Sequence, residues 1–155
     1  MTRPFSLLLT LLILTGCVTV SDTQVPASAE RRPIATEHAP KAIASYSQAI
    51  QVGKTLYLSG QVGLDPSTGQ LVPGGLQEEA RQALDNCRAV LEEAGFALSD
   101  VVQVQVFLAD VGDYAAFNEI YARYFPPPAP ARAAVAVAGL PRGARVEVLM
   151  TAVRP

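Results

Sequence analysis

Ligands for a metal ion are scarce in this sequence, which has one histidine, His38, and two cysteines, Cys17 and Cys87. A structural zinc site needs about four His or Cys ligands, so a site of this kind cannot be assembled. The sequence also has no Gly-x-Ser-x-Gly nucleophile elbow, and its single histidine lies close to the N-terminal segment. These absences argue against a zinc enzyme and against a Ser-His-Asp hydrolase.

Clusters of basic residues are missing as well, because 12 Lys and Arg are dispersed among 14 Asp and Glu, for a formal net charge of −2. Proteins that bind nucleic acid usually carry a basic patch that neutralises phosphates. Nucleic acid is therefore not an expected partner. The 155 residues, of which 50% are hydrophobic, suffice for one globular domain with a core.

The N-terminal segment MTRPFSLLLTLLILTGC has the features of a bacterial export signal. Arg3 precedes an apolar run of about ten residues, whereas a membrane-spanning helix needs about 20. The motif LTGC, which ends at Cys17, is similar to the lipobox of bacterial lipoproteins. We expect removal of residues 1–16, a lipid on Cys17 and a flexible tether over residues 17–33. The protein would then be exported and anchored to a bacterial membrane, facing the periplasm.

The segment from Leu76 to Ala94 has the periodicity of an amphipathic helix that Gly95 ends. Its apolar stripe consists of Leu76, Ala80, Ala83, Leu84, Cys87, Leu91 and Ala94, whereas Glu78, Glu79, Arg81, Asp85, Arg88 and Glu92 lie largely outside it. If Cys17 carries lipid, Cys87 has no disulfide partner. We interpret Cys87 as a core residue rather than a nucleophile.

The remaining elements follow from period and turn chemistry. SYSQAIQV and TLYLSGQVGL predict two strands, and VVQVQVFLAD predicts a third with Val102, Val104, Val106 and Leu108 on one face. DYAAFNEIYARYF predicts a second helix with Asp113 as its cap, and the prolines after it force an extended approach to RAAVAVAGL. With the final strand ARVEVLMTAV, the order of elements over residues 34–155 predicts an α+β domain.

Two charges interrupt apolar strands in this pattern. Arg132 opens RAAVAVAGL, and Glu147 lies among Val146, Val148 and Met150 of the final strand. The pattern alone favours a solvated strand end or face for both residues, and a binding site is the alternative.

Six segments in order, TEHAPKAIASYSQA, YLSGQVGLDPSTGQ, ARQALDNCRAVLEEAG, VVQVQVFLADVGDYAAFNEIYARYF, PARAAVAVAGLP and VEVLMTAV, resemble the RidA family of imine deaminases, also called YjgF. The resemblance covers nearly all of residues 34–154. It implies a chorismate-mutase-like fold, a mixed sheet with two helices on one face. It also implies a homotrimer with active sites in the clefts between subunits, and no metal or other cofactor.

The same resemblance implies the roles of particular residues. Arg132 in the motif PAR matches the arginine that binds the substrate carboxylate, and Glu147 matches the glutamate associated with the hydrolytic water. Five further positions match substrate-binding residues of the family: Tyr46, Ser59, Gly60, Asn118 and Ala134. The expected reaction is hydrolysis of 2-imino or 2-enamino acids, such as 2-iminobutanoate and 2-iminopropanoate, to 2-oxo acids and ammonium.

Two departures from the family pattern concern the substrate more than the fold. Ala134 stands where many active deaminases have cysteine, although the family's contact there is partly a backbone carbonyl that alanine keeps. The usual GPY is Ala44-Ser45-Tyr46 in this chain. One alternative function is a membrane-tethered module that binds a small metabolite without turnover, and another is an interaction protein that acts through its surface.

Overall fold

The computed structural model describes residues 30–154, which form a seven-stranded mixed sheet with two helices packed against it. This is the α+β architecture that the sequence predicts. The strands are β1 (Arg31–Ile34), β2 (Ala49–Val52), β3 (Thr55–Leu58), β4 (Gln61–Val62), β5 (Val101–Leu108), β6 (Ala131–Ala136) and β7 (Val146–Val153), and the helices are α1 (Leu76–Glu93) and α2 (Tyr114–Tyr124).

The sheet runs in the order β1-β2-β3-β7-β5-β6, and β4 also pairs with β7. Strands β5 and β6 are parallel and joined by α2, as a parallel pair needs a crossover, whereas the other pairs are antiparallel. The segment TLYLSGQVGL, predicted as one strand, is divided at Ser59 and Gly60 into β3 and β4. This break lies beside Glu147, because Val62 of β4 pairs with that residue.

Residues 31–33, which the sequence placed in the tether, belong to the first strand of the sheet. Arg31 to Ile34 form β1, which pairs antiparallel with β2 at the edge of the sheet. An edge strand tolerates Pro33, and the side chain of Arg32 donates two hydrogen bonds to Gln51 Oε1. The polar segment ERRP has no alternation, so its pairing was not predictable from period. The export signal and Cys17 lie outside the described residues.

The core lies between the helices and one face of the sheet. Every residue of the predicted apolar stripe of α1 is buried, including Cys87, and Gly95 ends the helix with a φ of 75°. The prediction was wrong for Glu79, which the pattern placed outside the stripe but which is buried. The reason is a close approach of α1 to Gly63, at which a Cβ atom would lie 2.5 Å from Glu79 Cα.

Two further expectations were wrong. A register shift between Val101 and Gln103 turns Val101 toward the core and leaves Val102 47% exposed. Asp113 makes no capping hydrogen bond to α2, because its carboxylate binds the side chain of Arg145 instead. Over residues 30–154, no helix combines the length and the apolar character that crossing a bilayer would require.

Candidate active site

Arg132 lies on β6 and is surrounded by side chains of α2. It is in register with the fully buried Val104 of β5, so its side chain is on the helix-covered face of the sheet. Its Nη2 group donates to Asn118 Oδ1 at 2.7 Å and to the Tyr114 hydroxyl oxygen at 3.4 Å. Its Cζ atom lies 4.4 Å from the centroid of the Tyr121 ring, a cation–π contact. We call these four residues the arginine cluster.

The arginine cluster follows from local sequence. Tyr114, Asn118 and Tyr121 are spaced at i, i+4 and i+7, so that they share one face of α2. Among the residues described, Nε and Nη1 of Arg132 have no hydrogen-bonding partner, so both groups can donate to a carboxylate. Ala134, two residues further along β6, lies on the same side and packs against the core. The sequence predicted Asn118 but missed Tyr114 and Tyr121.

Glu147 lies in a separate pocket of about 390 Å³. The pocket also contains three other predicted site residues, Tyr46, Ser59 and Gly60. Its remaining lining residues are Pro40, Lys41, Ile43, Ala44, Gln61, Val62, Leu64, Pro141 and Arg142. We call this the glutamate pocket.

The carboxylate of Glu147 sits directly against Gly60. A Cβ atom at Gly60 would lie 1.8 Å from Glu147 Oε1, so any side chain at this position would displace the carboxylate. Partial burial of Glu147 disfavours its charged form and raises its pKa. A raised pKa brings a carboxylate closer to the range in which it works as a general base near neutral pH.

Ser59 and Tyr46 both line the glutamate pocket, and their side chains differ in hydrogen bonding and in exposure. The Ser59 hydroxyl donates to the Ser47 carbonyl at 2.7 Å, so its oxygen faces the pocket only as an acceptor. The Tyr46 hydroxyl accepts a hydrogen bond from the Ile43 backbone at 3.4 Å, and the residue is 46% exposed. Tyr46 is therefore available to a ligand.

The loop that carries Tyr46 is held by Gln48, which the sequence analysis missed. Gln48 is 4% exposed, and its amide nitrogen donates to the carbonyls of Thr36, Ala39 and Pro40. Its Oε1 accepts from the backbone N–H of Thr36 at 2.6 Å. Every polar atom of this buried side chain is thus used, which fixes the loop beside the pocket. The only signal in the sequence was a glutamine beside the apolar start of β2.

The arginine cluster and the glutamate pocket do not meet within one protomer. Glu147 alternates with the buried Val146 and Val148, so it lies on the face of the sheet opposite to Arg132. Glu147 pairs with Phe107, which pairs with Val135, so two strand spacings and three residues separate Glu147 from Arg132. At about 4.8 Å per strand and about 3.3 Å per residue, their Cα atoms are roughly 14 Å apart. The sequence predicted Arg132, Asn118 and Glu147 as site residues but not the separation of the two groups.

Within the described part of the chain, no three His, Cys, Asp or Glu side chains are grouped so that they could hold a metal ion. Cys87 is far from being a nucleophile, because complete burial raises the pKa of its thiol.

The fold and the two residue groups define a class of protein, a small α+β domain with a partnered arginine on one face of its sheet and a partly buried carboxylate on the other. A family model described as Endoribonuclease L-PSP matches residues 36–154. The 2-iminobutanoate/2-iminopropanoate deaminase of mouse is 56% identical over 124 residues, which cover 80% of this chain and 92% of the mouse protein. The human protein of that name is 52% identical, covering 80% of this chain and 90% of its own.

Solved structures give the same result. RidA from an Antarctic Psychrobacter has a TM-score of 0.77 and 44% identity, covering 79% of this chain and 99% of its own. Escherichia coli TdcF with bound serine has a TM-score of 0.76 and 36% identity, covering 80% of this chain and 99% of its own. The chain belongs to the RidA/YjgF family. The predictions of family and fold are thereby confirmed.

Proposed function

We propose that the protein hydrolyses reactive 2-imino acids, and the 2-enamino acids that tautomerise to them, to 2-oxo acids and ammonium. The observation that carries this proposal is the Arg132 guanidinium, whose Nε and Nη1 have no partner among the described residues, together with the partly buried carboxylate of Glu147, each in its family motif. Relatives 52 to 56% identical over most of the chain are named 2-iminobutanoate/2-iminopropanoate deaminase, which supports the same reaction.

Arg132 binds the carboxylate that every 2-imino acid carries. Its Nη2 group donates to Asn118 and Tyr114, which leaves the N–H groups of Nε and Nη1 to donate to the carboxylate oxygens. The Tyr121 ring supports one face of the guanidinium and limits its rotation. Asn118 thus acts on the substrate through Arg132, and the backbone carbonyl of Ala134 adds a hydrogen-bond acceptor nearby.

Glu147 holds the attacking water and accepts its proton. The water oxygen forms a bond to the C2 atom of the protonated imine, and the C=N π electrons move to nitrogen. Glu147 then returns the proton to the amine. As the C–N bond breaks, the proton of the C2 hydroxyl passes through Glu147 to the departing ammonia, so that R–C(=NH₂⁺)–COO⁻ plus H₂O becomes R–CO–COO⁻ plus NH₄⁺. Tyr46 and the Ser59 oxygen orient the imine nitrogen and the departing ammonia. The space beside Gly60 admits the Glu147 carboxylate.

The active site we propose is shared between copies of the chain in a homotrimer. Arg132 and Glu147 lie on opposite faces of the sheet, so a small acid can reach both only if a second copy supplies one of them. The uncovered face carries exposed apolar side chains, among them Tyr57, Val135 and Val153, that suit burial between subunits.

Mixing two inactive variants tests the shared site. Arg132→Ala and Glu147→Gln trimers, unfolded together and refolded as a 1:1 mixture, would regain about a quarter of the wild-type sites by random assembly. No recovery in mixed trimers, with wild type refolded in parallel as the control, would contradict a site shared between subunits.

The reaction itself is tested with an imine generated freshly by an amino-acid oxidase, with release of 2-oxo acid as the measurement. Wild type should accelerate release, and Arg132→Ala should lose most of the acceleration. Arg123→Ala is the matched control, because Arg123 is an exposed arginine of α2 outside the arginine cluster. Equal release with wild type, with Arg132→Ala and without protein would refute the proposal.

A binding module without turnover is the second candidate, favoured by the bound serine in the TdcF structure. Glu147→Gln separates the two, because it should nearly abolish hydrolysis but leave the affinity of a simple binder for a carboxylate largely intact. The family description also names an endoribonuclease, but a net charge of −2 and dispersed basic residues do not favour a phosphate backbone as substrate.

For the cellular location we propose export and lipid anchoring through Cys17. The support is the signal-like segment at residues 1–16 and the lipobox-like LTGC, both of which precede the part of the chain that the family model matches. Mass spectrometry of the mature N-terminus should find a diacylglyceryl-modified Cys17. A mature chain that fractionates with the cytosol and retains Met1 would contradict this proposal.

A further inference from the structure

One ion pair connects the segments that carry the two halves of the proposed site. Arg145 donates from Nε to Asp113 Oδ2 at 2.9 Å, and from Nη2 to Oδ1 at 2.7 Å and Oδ2 at 2.8 Å. This geometry is bidentate, and the Asp113 side chain is only 13% exposed. The pair joins residues 32 positions apart, so it holds two different elements together rather than one helix.

The Arg145 side of the pair lies beside Glu147. Arg145 directly precedes β7, and Glu147 is the second residue of that strand. The Arg145 N–H donates to the carboxylate of the buried Glu79 on α1 at 2.7 Å, and its carbonyl accepts from Ala109 at 2.9 Å. Strand ends fray unless they are tied down, and a carboxylate so near an end would move with it.

The chain before Arg145 makes this anchoring more important. It forms the turn Pro141–Gly143, in which Arg142 has a φ of 61°, and both Pro141 and Arg142 line the glutamate pocket. A non-glycine residue in the left-handed region adopts it at a cost and returns to other conformations if the neighbours release it. The contacts of Arg145 therefore separate a strained turn from the strand that carries Glu147.

The Asp113 side of the pair lies beside Arg132. Asp113 directly precedes Tyr114, the first residue of α2, and Tyr114 and Asn118 both contact the Arg132 guanidinium. Displacement of this end of α2 would move the groups that orient Arg132. We propose that Asp113 and Arg145 are positioning residues that hold the Arg132 guanidinium and the Glu147 carboxylate in catalytic geometry. This inference rests on the proposed deaminase function.

The pair has different consequences for stability and for catalysis. The Arg145 side chain is 47% exposed, so solvent weakens the contribution of the pair to the free energy of unfolding, whereas misplacement of reacting groups by about 1 Å can cost roughly 100-fold in rate. Loss of the pair should therefore affect catalysis much more than folding. A purely structural role predicts the reverse, a smaller folded fraction with unchanged kinetic constants for the molecules that remain folded.

The test compares kcat and KM of Arg145→Gln, Asp113→Asn and the double variant, each normalised to folded trimer. We expect kcat to fall by about tenfold or more in each single variant, KM to rise, and the double variant to lose little more than either single one. Arg145→Lys, which keeps the charge, should recover part of the loss. Arg88→Gln is the matched control, since Arg88 has the same 47% side-chain exposure and also pairs with an aspartate.

The outcomes separate this inference from the function on which it rests. No imine hydrolysis by wild type would remove the proposed function itself. Wild-type activity with unchanged kcat and KM in both single variants would overturn the positioning role alone. Losses that multiply in the double variant, or that Arg88→Gln reproduces, would overturn it as well, because the two residues would then not act as one pair.

Discussion

The most specific prediction from the structure is that Gly60→Ala lowers activity and leaves stability almost unchanged. Gly60 has no positive φ, so alanine fits its backbone conformation without strain. The added Cβ atom would lie 1.8 Å from Glu147 Oε1, 2.7 Å from its Cδ and 3.0 Å from its Cγ. These three nearest atoms all belong to the side chain of Glu147, which is flexible enough to rotate aside.

The displacement can be worked out from these distances. Ordinary contact begins at about 3.4 Å, so Oε1 must retreat by about 3.4 − 1.8 = 1.6 Å. A misplacement of about 1 Å can cost roughly 100-fold in rate, so we expect a loss of at least that size. Stability should change little, because replacing glycine by alanine at a compatible position usually stabilises by about 0.4 to 1 kcal/mol, which offsets the strain of one rotated side chain.

The assay is release of 2-oxo acid from a freshly generated imine, together with thermal unfolding of the same samples. Gly139→Ala is the neutral control, because a Cβ atom there meets nothing within 4 Å. Gly63→Ala is the opposite control, since its Cβ atom would lie 2.5 Å from the backbone of Glu79 and should destabilise the fold. Full activity of Gly60→Ala would refute the assignment of Glu147 as the group that acts on water.

Four further predictions concern Glu147, Asn118 and Cys87. The acid limb of the profile of kcat/KM against pH should lie above pH 4.5. Burial raises the pKa of Glu147 from that value, and the protonated carboxyl group cannot accept a proton from water. An acid limb at or below pH 4.5 would contradict this prediction. The same shift means that ionisation of Glu147 lowers stability as pH rises through its folded-state pKa, so Glu147→Gln should unfold at an equal or higher temperature at neutral pH. Asn118→Ala should raise KM by about tenfold through the loss of a charged hydrogen bond to Arg132, and an unchanged KM would contradict the arrangement. Cys87 should resist thiol reagents in the native protein and react after denaturation, as a labelled-peptide digest would show.

Much of the fold was predictable from local pattern. The stripe of α1 and the alternation of β7 are set by the periods at which a helix or a strand returns a side chain to the same face. The failures occurred where a neighbouring element decides the outcome. Val102 is exposed because of a register shift against β7, and Glu79 is buried because Gly63 lets α1 approach. Neither contact is encoded within the segment that carries the residue.

The chemistry of the site was predictable from residue identity and motif, and its supports were not. Arg132 and Glu147 attract attention as charges in apolar strands. Gln48 and the Asp113–Arg145 pair do not, because a polar side chain in a loop or at a helix end is ordinary in sequence. Only the contacts of Gln48 with three carbonyls and of Arg145 with Asp113 reveal what these residues hold in place.

The sequence by itself determined the family and the α+β class, and it supplied the residues of the proposed site, since these depend on residue types and their order along the chain. The tertiary structure alone decided that Arg132 and Glu147 lie on opposite faces of one sheet. The two-residue repeat of a strand shows only that successive side chains point in opposite directions. Which direction faces the helices is set by pairing, here of Arg132 with Val104 and of Glu147 with Phe107. Pairing between strands distant in sequence depends on the packed core, and it turns two charges of one chain into halves of a site that two copies would complete.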